Sequence, residues 1–167
     1  MNRDEPRDAA GLFLKALKEI AFMLHVVAKA GPSSIHGIGL IAGEFIAKGR
    51  KVWEFAPQFD RLLTEEDVRG LSAAAFEQVR WYAYHYDDAG KRVWVLSSDD
   101  DRFTNHAGSP NTMSAHDSRE GPLHLAPSFA IRDIHPGEEI TWNYREFGGL
   151  NTDIRTEIAL CVHSSTT

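Results

Sequence analysis

A single cysteine, Cys161, stands in a chain of 167 residues. A lone thiol excludes an intrachain disulfide and a thiolate-rich structural zinc site built within one chain, and points to a reducing, intracellular setting, cytoplasmic or also nuclear in a eukaryote. Long apolar runs are missing too. The longest, Ile20 to Ala28, is broken by His25 and has about half the length that spans a bilayer, so no membrane helix is expected. Positive charge is lacking where a targeting leader needs it, because Asp4, Glu5 and Asp8 lie there instead, and no leader is read. It is lacking overall as well. The formal net charge is −6, with acidic clusters at Glu65 to Asp67, Asp87 to Asp88 and Asp99 to Asp101, which argues against direct nucleic-acid binding and favours a basic peptide partner. Neither a G-x-S-x-G nucleophile elbow nor a P-loop occurs. His85, His116, His124, His135 and His163 show no paired metal-ligand spacing, so no metal site is expected.

What remains is enough chain for one domain that buries roughly two-thirds of its unfolded surface. Leu12, Phe13, Ala16, Leu17 and Ile20 form the stripe of an amphipathic helix over residues 8 to 20, suited to capping the domain or to homodimer contacts. Met23 to Lys29 reads as a strand that stops at Gly31-Pro32. Leu40 to Phe55 and Phe129 to Tyr144 then repeat one design. Each is an apolar strand, a turn (Ile46 to Gly49, Ile134 to Gly137) and a return strand (Lys51 to Phe55, Glu139 to Tyr144), which predicts two similar hairpins. Between them lies a helical insertion at about 64 to 80, with a capping box at Thr64 and Asp67 and a second cap at Ser72. Tyr82, Tyr84 and Tyr86 alternate on a strand that turns at Asp87 to Gly90 and returns through Val93 and Val95. Ile154, Ile158 and Val162 recur at helical spacing in the tail.

Two segments are not built like a core. Arg102 to Asn111 reads R-F-T-N-H-A-G-S-P-N, and Gly137 to Tyr144 reads G-E-E-I-T-W-N-Y. Asn105 offers both a donor and an acceptor, and His106 offers backbone and ring groups, which suits the ammonium, ribose or adenine edge of a polar cofactor. The same pair also suits the stabilisation of a tight loop. In His36-Gly37-Ile38-Gly39 two glycines let backbone groups approach a charged ligand closely, although such turns are common at strand starts.

These segments, with Ile35 to Gly39, resemble the SET-domain protein lysine methyltransferases, whose R-F-x-N-H-x-x-x-P-N is matched at Arg102, Phe103, Asn105, His106, Pro110 and Asn111. The resemblance implies a mainly β fold with α insertions, of small curved sheets with a knot-like crossing, in which the two segments thread past each other. It would span residues 22 to 148, flanked by a helical extension over 1 to 21 and a helical tail over 149 to 167. It implies S-adenosylmethionine as cofactor and a lysine-containing protein, histone-like or otherwise basic, as substrate. His36, Gly37, Ile38, Gly39, Arg102, Asn105, His106 and Tyr144 would hold the cofactor, and Tyr144 would be the catalytic residue. Phe55, Tyr82, Tyr84 and Trp142 are the candidates for the lysine channel, although aromatic alternation on a strand also serves core packing.

Two departures from the family sharpen this reading. Asn105-His106-Ala107-Gly108 lacks the cysteine of the family's N-H-S-C, and no cysteine-rich segment follows, which implies a zinc-free form whose channel is roofed by the tail helix over 152 to 162 or by a second subunit. Trp142 stands where the family more often has tyrosine or phenylalanine, which leaves the number of methyl groups transferred open. The competing reading is a SET module with weak or absent catalysis that acts in protein–protein interaction.

Overall fold

The computed structural model describes residues 23–88, 90–114 and 125–147. The helices expected over 8 to 20 and 152 to 162 lie outside them. Among the described residues, ten short strands form three small sheets. In the first, the order is β1 (Ala28–Pro32), β2 (Ile38–Ala42), β10 (Glu139–Trp142) and β7 (Asn105–His106). The second joins β3 (Lys51–Trp53), β9 (Ser128–Ala130) and β8 (Thr112–Ser114), and the third joins β4 (Arg61–Thr64), β6 (Lys91–Leu96) and β5 (Ala83–Asp88).

The repeated segments do not close into hairpins. β2 pairs with β10 and β3 with β9, so each strand of one copy takes its partner from the other. Ile46 and Ile134 exchange two backbone hydrogen bonds of 2.9 Å at the centre of this arrangement. Around them the contacts recur with the copies interchanged: Gly49 N donates to Ala130 O and Gly137 N to Ala42 O, at 2.7 and 2.8 Å. Each copy also carries an ion pair across its own turn, with the charges reversed between the two: Glu44 with Arg50 and Arg132 with Glu138. The strands cannot fold back on their own copies because the backbone groups beside each turn are already bonded to the other copy. The turns run one residue beyond the spans Ile46 to Gly49 and Ile134 to Gly137, while Pro136 and Gly137 take the second and third places expected of them. They are closed by Arg50 N to Ala47 O and Glu138 N to His135 O, both at 3.0 Å, which puts Gly49 (φ 83°) and Gly137 (φ 87°) in the third place. That is the left-handed position of a type II turn, and Pro136 presets the second place of the latter.

The main core fills the seam between the copies. Leu40, Ala42, Ile46, Val52, Ala130, Ile134 and Ile140 are each no more than 2% exposed, which is where cavity-creating changes cost most. β1 begins at Ala28, later than expected, and runs through Gly31 and Pro32. A proline is tolerated there because β1 is an edge strand. Residues before it pair elsewhere, with His25 N donating to Val52 O and Glu54 N to Met23 O.

The insertion has its own small core of Val68, Val79 and Trp94, against which Leu63, Leu71, Phe76 and Ala83 pack. Its helices are α1 (Glu65–Arg69), with the Thr64–Asp67 capping box formed in both directions, and α2 (Ala73–Tyr82), capped by Ser72. Tyr82 ends α2 rather than starting β5, which sets its side chain apart from those of Tyr84 and Tyr86. Among the described residues no helix is long and apolar enough to cross a membrane.

Candidate functional site

The sequence segments 102 to 111 and 137 to 144 meet as parallel neighbours. Asn105 pairs with Thr141 and His106 with Trp142, and Ala107 N extends the ladder to Trp142 O at 2.9 Å. The chain then turns so that Asn111, 2% exposed, grips β10 with its side chain. Its Nδ2 donates to Glu139 O and its Oδ1 accepts from Thr141 N, both at 2.8 Å. Thr112 Oγ1 adds a bond to Thr141 O at 2.8 Å. Buried polar side chains thus supply the backbone partners that so short a strand as β7 cannot. β10 is held on one side by β2 and on the other by this segment.

On the open side of the crossing, Asn105 Nδ2 lies among four acceptors: Glu139 Oε1 at 2.8 Å, Ile38 O at 3.0 Å, Ser33 Oγ at 3.1 Å and His36 O at 3.2 Å. An amide nitrogen has two protons and the Ser33 hydroxyl supplies one more, to the Glu139 carboxylate, so the four acceptors outnumber the protons these side chains offer. The site is therefore rich in acceptors and suited to a cation. Ser33 organises it, its Oγ accepting from Ile35 N and His36 N and lying 2.8 Å from Glu139 Oε1. Gly37 takes a left-handed φ of 52° in the loop. Gly39 is needed for a different reason: a β-carbon there would come within 2.2 Å of Glu139 Oε1.

The aromatic groups sit across the crossing. Tyr144 opens a 3-10 turn, Tyr144–Phe147, two residues beyond β10, rather than ending the strand. Its hydroxyl donates to Thr104 O and its backbone N to His106 Nδ1, the latter at 3.2 Å. A neutral His106 therefore carries its ring proton on Nε2. The rings of His106 and Tyr144 lie 5.5 Å apart. Burial, then the nearby Asp101 carboxylate, pushes the Tyr144 phenol up to about 12, and burial raises Tyr84 well above the ordinary value. Both phenols are neutral at physiological pH. Tyr84 meets the buried Trp142 edge-on at 6.2 Å, and Tyr82 meets Phe103 at 5.4 Å. Phe55 lies just past β3, partly buried. Arg102 is exposed, its guanidinium 5.0 Å over the Phe103 ring.

Several participants are not singled out by the sequence reading. Glu139 and Ser33 complete the acceptor cluster, and the second glutamate of G-E-E was the available signal for the former. Trp81, half exposed, stacks on His36 at 5.5 Å and 12°, which ties α2 to the glycine loop. Thr104 and Asp101 lie behind Tyr144. Among the described residues no group of three or more His, Cys, Asp or Glu is placed to hold a metal.

A mainly β domain of small sheets, with an acceptor-rich glycine loop and a tyrosine brought together at a parallel crossing, defines a SET-type fold. The SET domain family model matches residues 37–145, and the chain belongs to the SET domain family. It is similar to the putative histone-lysine N-methyltransferase 1 of Plasmodium falciparum, 31% identical over 140 residues, covering 80% of this chain and 2% of that protein. It is similar to human histone-lysine N-methyltransferase 2B, 31% identical over 119 residues, covering 68% and 4%. It also resembles the H3 lysine-4 specific histone-lysine N-methyltransferase of Schizosaccharomyces pombe, 30% identical over 147 residues, covering 84% and 15%. The chain thus spans between 2% and 15% of the length of these relatives. Among solved structures it shares its fold with a humanized mutant of the Chaetomium thermophilum Polycomb Repressive Complex 2 (TM-score 0.51, 24% identity, 73% of this chain and 15% of that one). It shares it also with an apo ctPRC2 in an autoinhibited state (TM-score 0.55, 21% identity, 83% and 17%).

Proposed function

We propose that this protein is an S-adenosylmethionine-dependent protein lysine N-methyltransferase acting on a lysine in a basic, histone-like segment. The observation that carries the reading is the acceptor cluster around Asn105, with the Tyr144 hydroxyl bonded to the carbonyl of the preceding residue, Thr104, at the crossing of the two motif segments. The cofactor's amino-acid tail fits this chemistry. Its ammonium matches the carbonyls of His36 and Ile38 and the Glu139 carboxylate, and the absent β-carbon at Gly39 keeps that carboxylate in place. Gly37, Asn105 and His106 complete the holding residues, and Trp81 extends the His36 side of the loop. When bound, the cofactor supplies an electrophilic methyl on a sulfonium.

The protein's own groups do the rest. A lysine has an ordinary pKa near 10.4, so about one molecule in a few thousand is the nucleophilic amine at neutral pH. Walls such as Trp142 and Tyr84 penalise the ammonium by desolvation and favour proton loss to water. Tyr144 donates its proton to Thr104 O, so its oxygen is left as an acceptor that orients an amine N–H. At a pKa of about 12 it does this without becoming a charged phenolate that would pull the lysine back to its ammonium form. The acidic surface, including Glu65, Glu66 and Asp67, draws a lysine- and arginine-rich substrate.

The test is transfer of labelled methyl from S-adenosylmethionine to histone and other basic proteins by wild type, Tyr144→Phe and Asn105→Ala. Labelling by wild type with losses of about a hundredfold in both variants supports the reading. Cofactor binding without any transfer would favour an interaction module instead, and equal labelling by all three would remove these residues from the site.

A further inference from the structure

Behind the catalytic candidate lies a carboxyl that the proposed mechanism does not use. Asp101 is 8% exposed in the 3-10 turn Asp100–Phe103, directly before the motif segment. Its Oδ1 accepts from Thr104 Oγ1 and its Oδ2 from Ser97 Oγ, each at 3.3 Å, and its backbone carbonyl accepts from Thr104 N at 2.8 Å. The turn is pinned from outside as well. Asp99 Oδ1 caps Asp101 N at 3.1 Å, and Asp100 Oδ2 accepts from Ala30 N of β1 at 2.9 Å. Thr104, 7% exposed, therefore sits in a rigid frame whose one remaining backbone group, its carbonyl, receives the Tyr144 hydroxyl.

We propose that Asp101 is a positioning residue for the Tyr144 hydroxyl. It acts through Thr104, and its own charge state is communicated to that hydroxyl. The inference rests on the methyltransferase reading only for its consequence in turnover. Titratable groups facing Asp101 come from every side: Asp99 on its own turn, Asp60 before β4, Tyr84 on β5 and Tyr144 after β10. The cation nearest in sequence, Arg102, is exposed and lies over the Phe103 ring. A buried carboxyl among other carboxyls and phenols is costly to ionise, and burial pushes Asp101 up to about 8. As a carboxylate it accepts from both hydroxyls, whereas as an acid it donates its one proton to one of them, so either Thr104 Oγ1 or Ser97 Oγ changes from donor to acceptor when it titrates. The appearance of charge also acts directly on the Tyr144 phenol, whose raised value includes the Asp101 contribution.

The test reads Tyr144 itself. In protein carrying ring-13C tyrosine, the Tyr144 Cζ resonance, assigned with Tyr144→Phe, is followed from pH about 6 to about 10, below the onset of phenol ionisation. Wild type should show a step in this range. Asp101→Asn should abolish it, and Thr104→Val should weaken it while Thr104→Ser restores it. In turnover, Asp101→Asn and Thr104→Val should lower kcat about tenfold with KM for peptide within about twofold, and Thr104→Ser should recover most of the loss. A Tyr144 step that persists unchanged in Asp101→Asn overturns the proposal, as does a wild-type resonance without a step. Should Asp101→Asn fail to fold, the wild-type titration and the Thr104 pair decide. If wild type transfers no methyl while the Tyr144 step behaves as stated, the functional reading falls and the role of Asp101 stands.

Discussion

The Glu139 carboxylate lies across Gly39, so that a single methyl at position 39 would come within 2.2 Å of its Oε1. The same carboxylate is bonded to Ser33 and Asn105, which links the glycine of one motif to the glutamate of the other through the acceptor cluster. Because the atom in the way is the end of a flexible side chain, Gly39→Ala can be accommodated if Glu139 swings out. The expected outcome is a stability loss of about 1 kcal/mol or less, with a loss of at least about tenfold in S-adenosylmethionine affinity. Thermal denaturation and calorimetric titration of the same preparation check the two together. A variant that binds as wild type does would separate Glu139 from the cofactor.

Asn111 makes four hydrogen bonds to β10, three of them through its side chain, and is almost wholly buried. Asn111→Ala leaves backbone groups of Glu139 and Thr141 without partners, at a cost of roughly 1–3 kcal/mol for each group left buried. It is expected to lower the melting temperature more than Asn105→Ala, whose partners face the open side. Denaturant midpoints for the two variants, compared at equal m-value, test this order.

The interchanged copies separate core from surface sharply. Ile134, 0% exposed at the centre of the seam, should cost about 2–5 kcal/mol on truncation to alanine. Arg132, paired with Glu138 on the surface, should cost less than about 1 kcal/mol, with no change in methyl transfer. Urea unfolding of Ile134→Ala and Arg132→Ala gives both numbers.

In the proposed lysine channel, the room beside Trp142, which is 4% exposed and meets Tyr84 edge-on, would set product multiplicity. Trp142→Phe removes indole volume from this contact and is expected to shift product towards higher methylation states of the same lysine, with total turnover reduced about tenfold or less. Mass spectrometry of a peptide at matched conversion reads the ratio. An unchanged ratio would place Trp142 outside the channel.

Burial first, then neighbouring carboxylates, pushes Asp101 up to about 8 and Asp99 up to about 6 from an ordinary value of 3.8. The folded chain therefore holds protons that the unfolded chain has released, and stability falls as pH rises from about 4 to about 8, levelling above that. Glu54, Asp67 and Glu138 act the other way. Hydrogen bonds, chiefly from Lys51, Thr64 and His135, hold them below their ordinary values of 4.5, 3.8 and 4.5, so their contribution is lost only in acid. Asp101→Asn should flatten the slope between about pH 5 and about pH 8 and stabilise the fold at the alkaline end. Melting temperatures across this range, at constant ionic strength, show whether it does.

Much of the local structure was legible in the residues. The capping box at Thr64, the cap at Ser72, the turn glycines Gly49 and Gly137 and the strands on either side of Gly90 all follow from one or a few neighbouring side chains. The motif segments were legible by their polarity and spacing, and so was the family. What the residues could not show is which strand pairs with which. A turn sequence specifies a reversal, but the partner of a three-residue strand is chosen by where its apolar face can be buried, and here that burial is reciprocal across the Ile46–Ile134 centre.

The sequence by itself determined the class of domain, the turns and caps, and the residue types present at the site, because these depend on local conformation and on the chemistry of single side chains. Only the tertiary structure decided that Asn105 would face Glu139 and Ser33, that Tyr144 would bond to Thr104, and that Asp101 would be buried behind it. The physical reason is distance along the chain. Asn105 and Ser33 are 72 positions apart, and Tyr144 and Thr104 are 40, and contacts of that range are fixed by which strands pair, as β7 does with β10, and not by neighbouring residues.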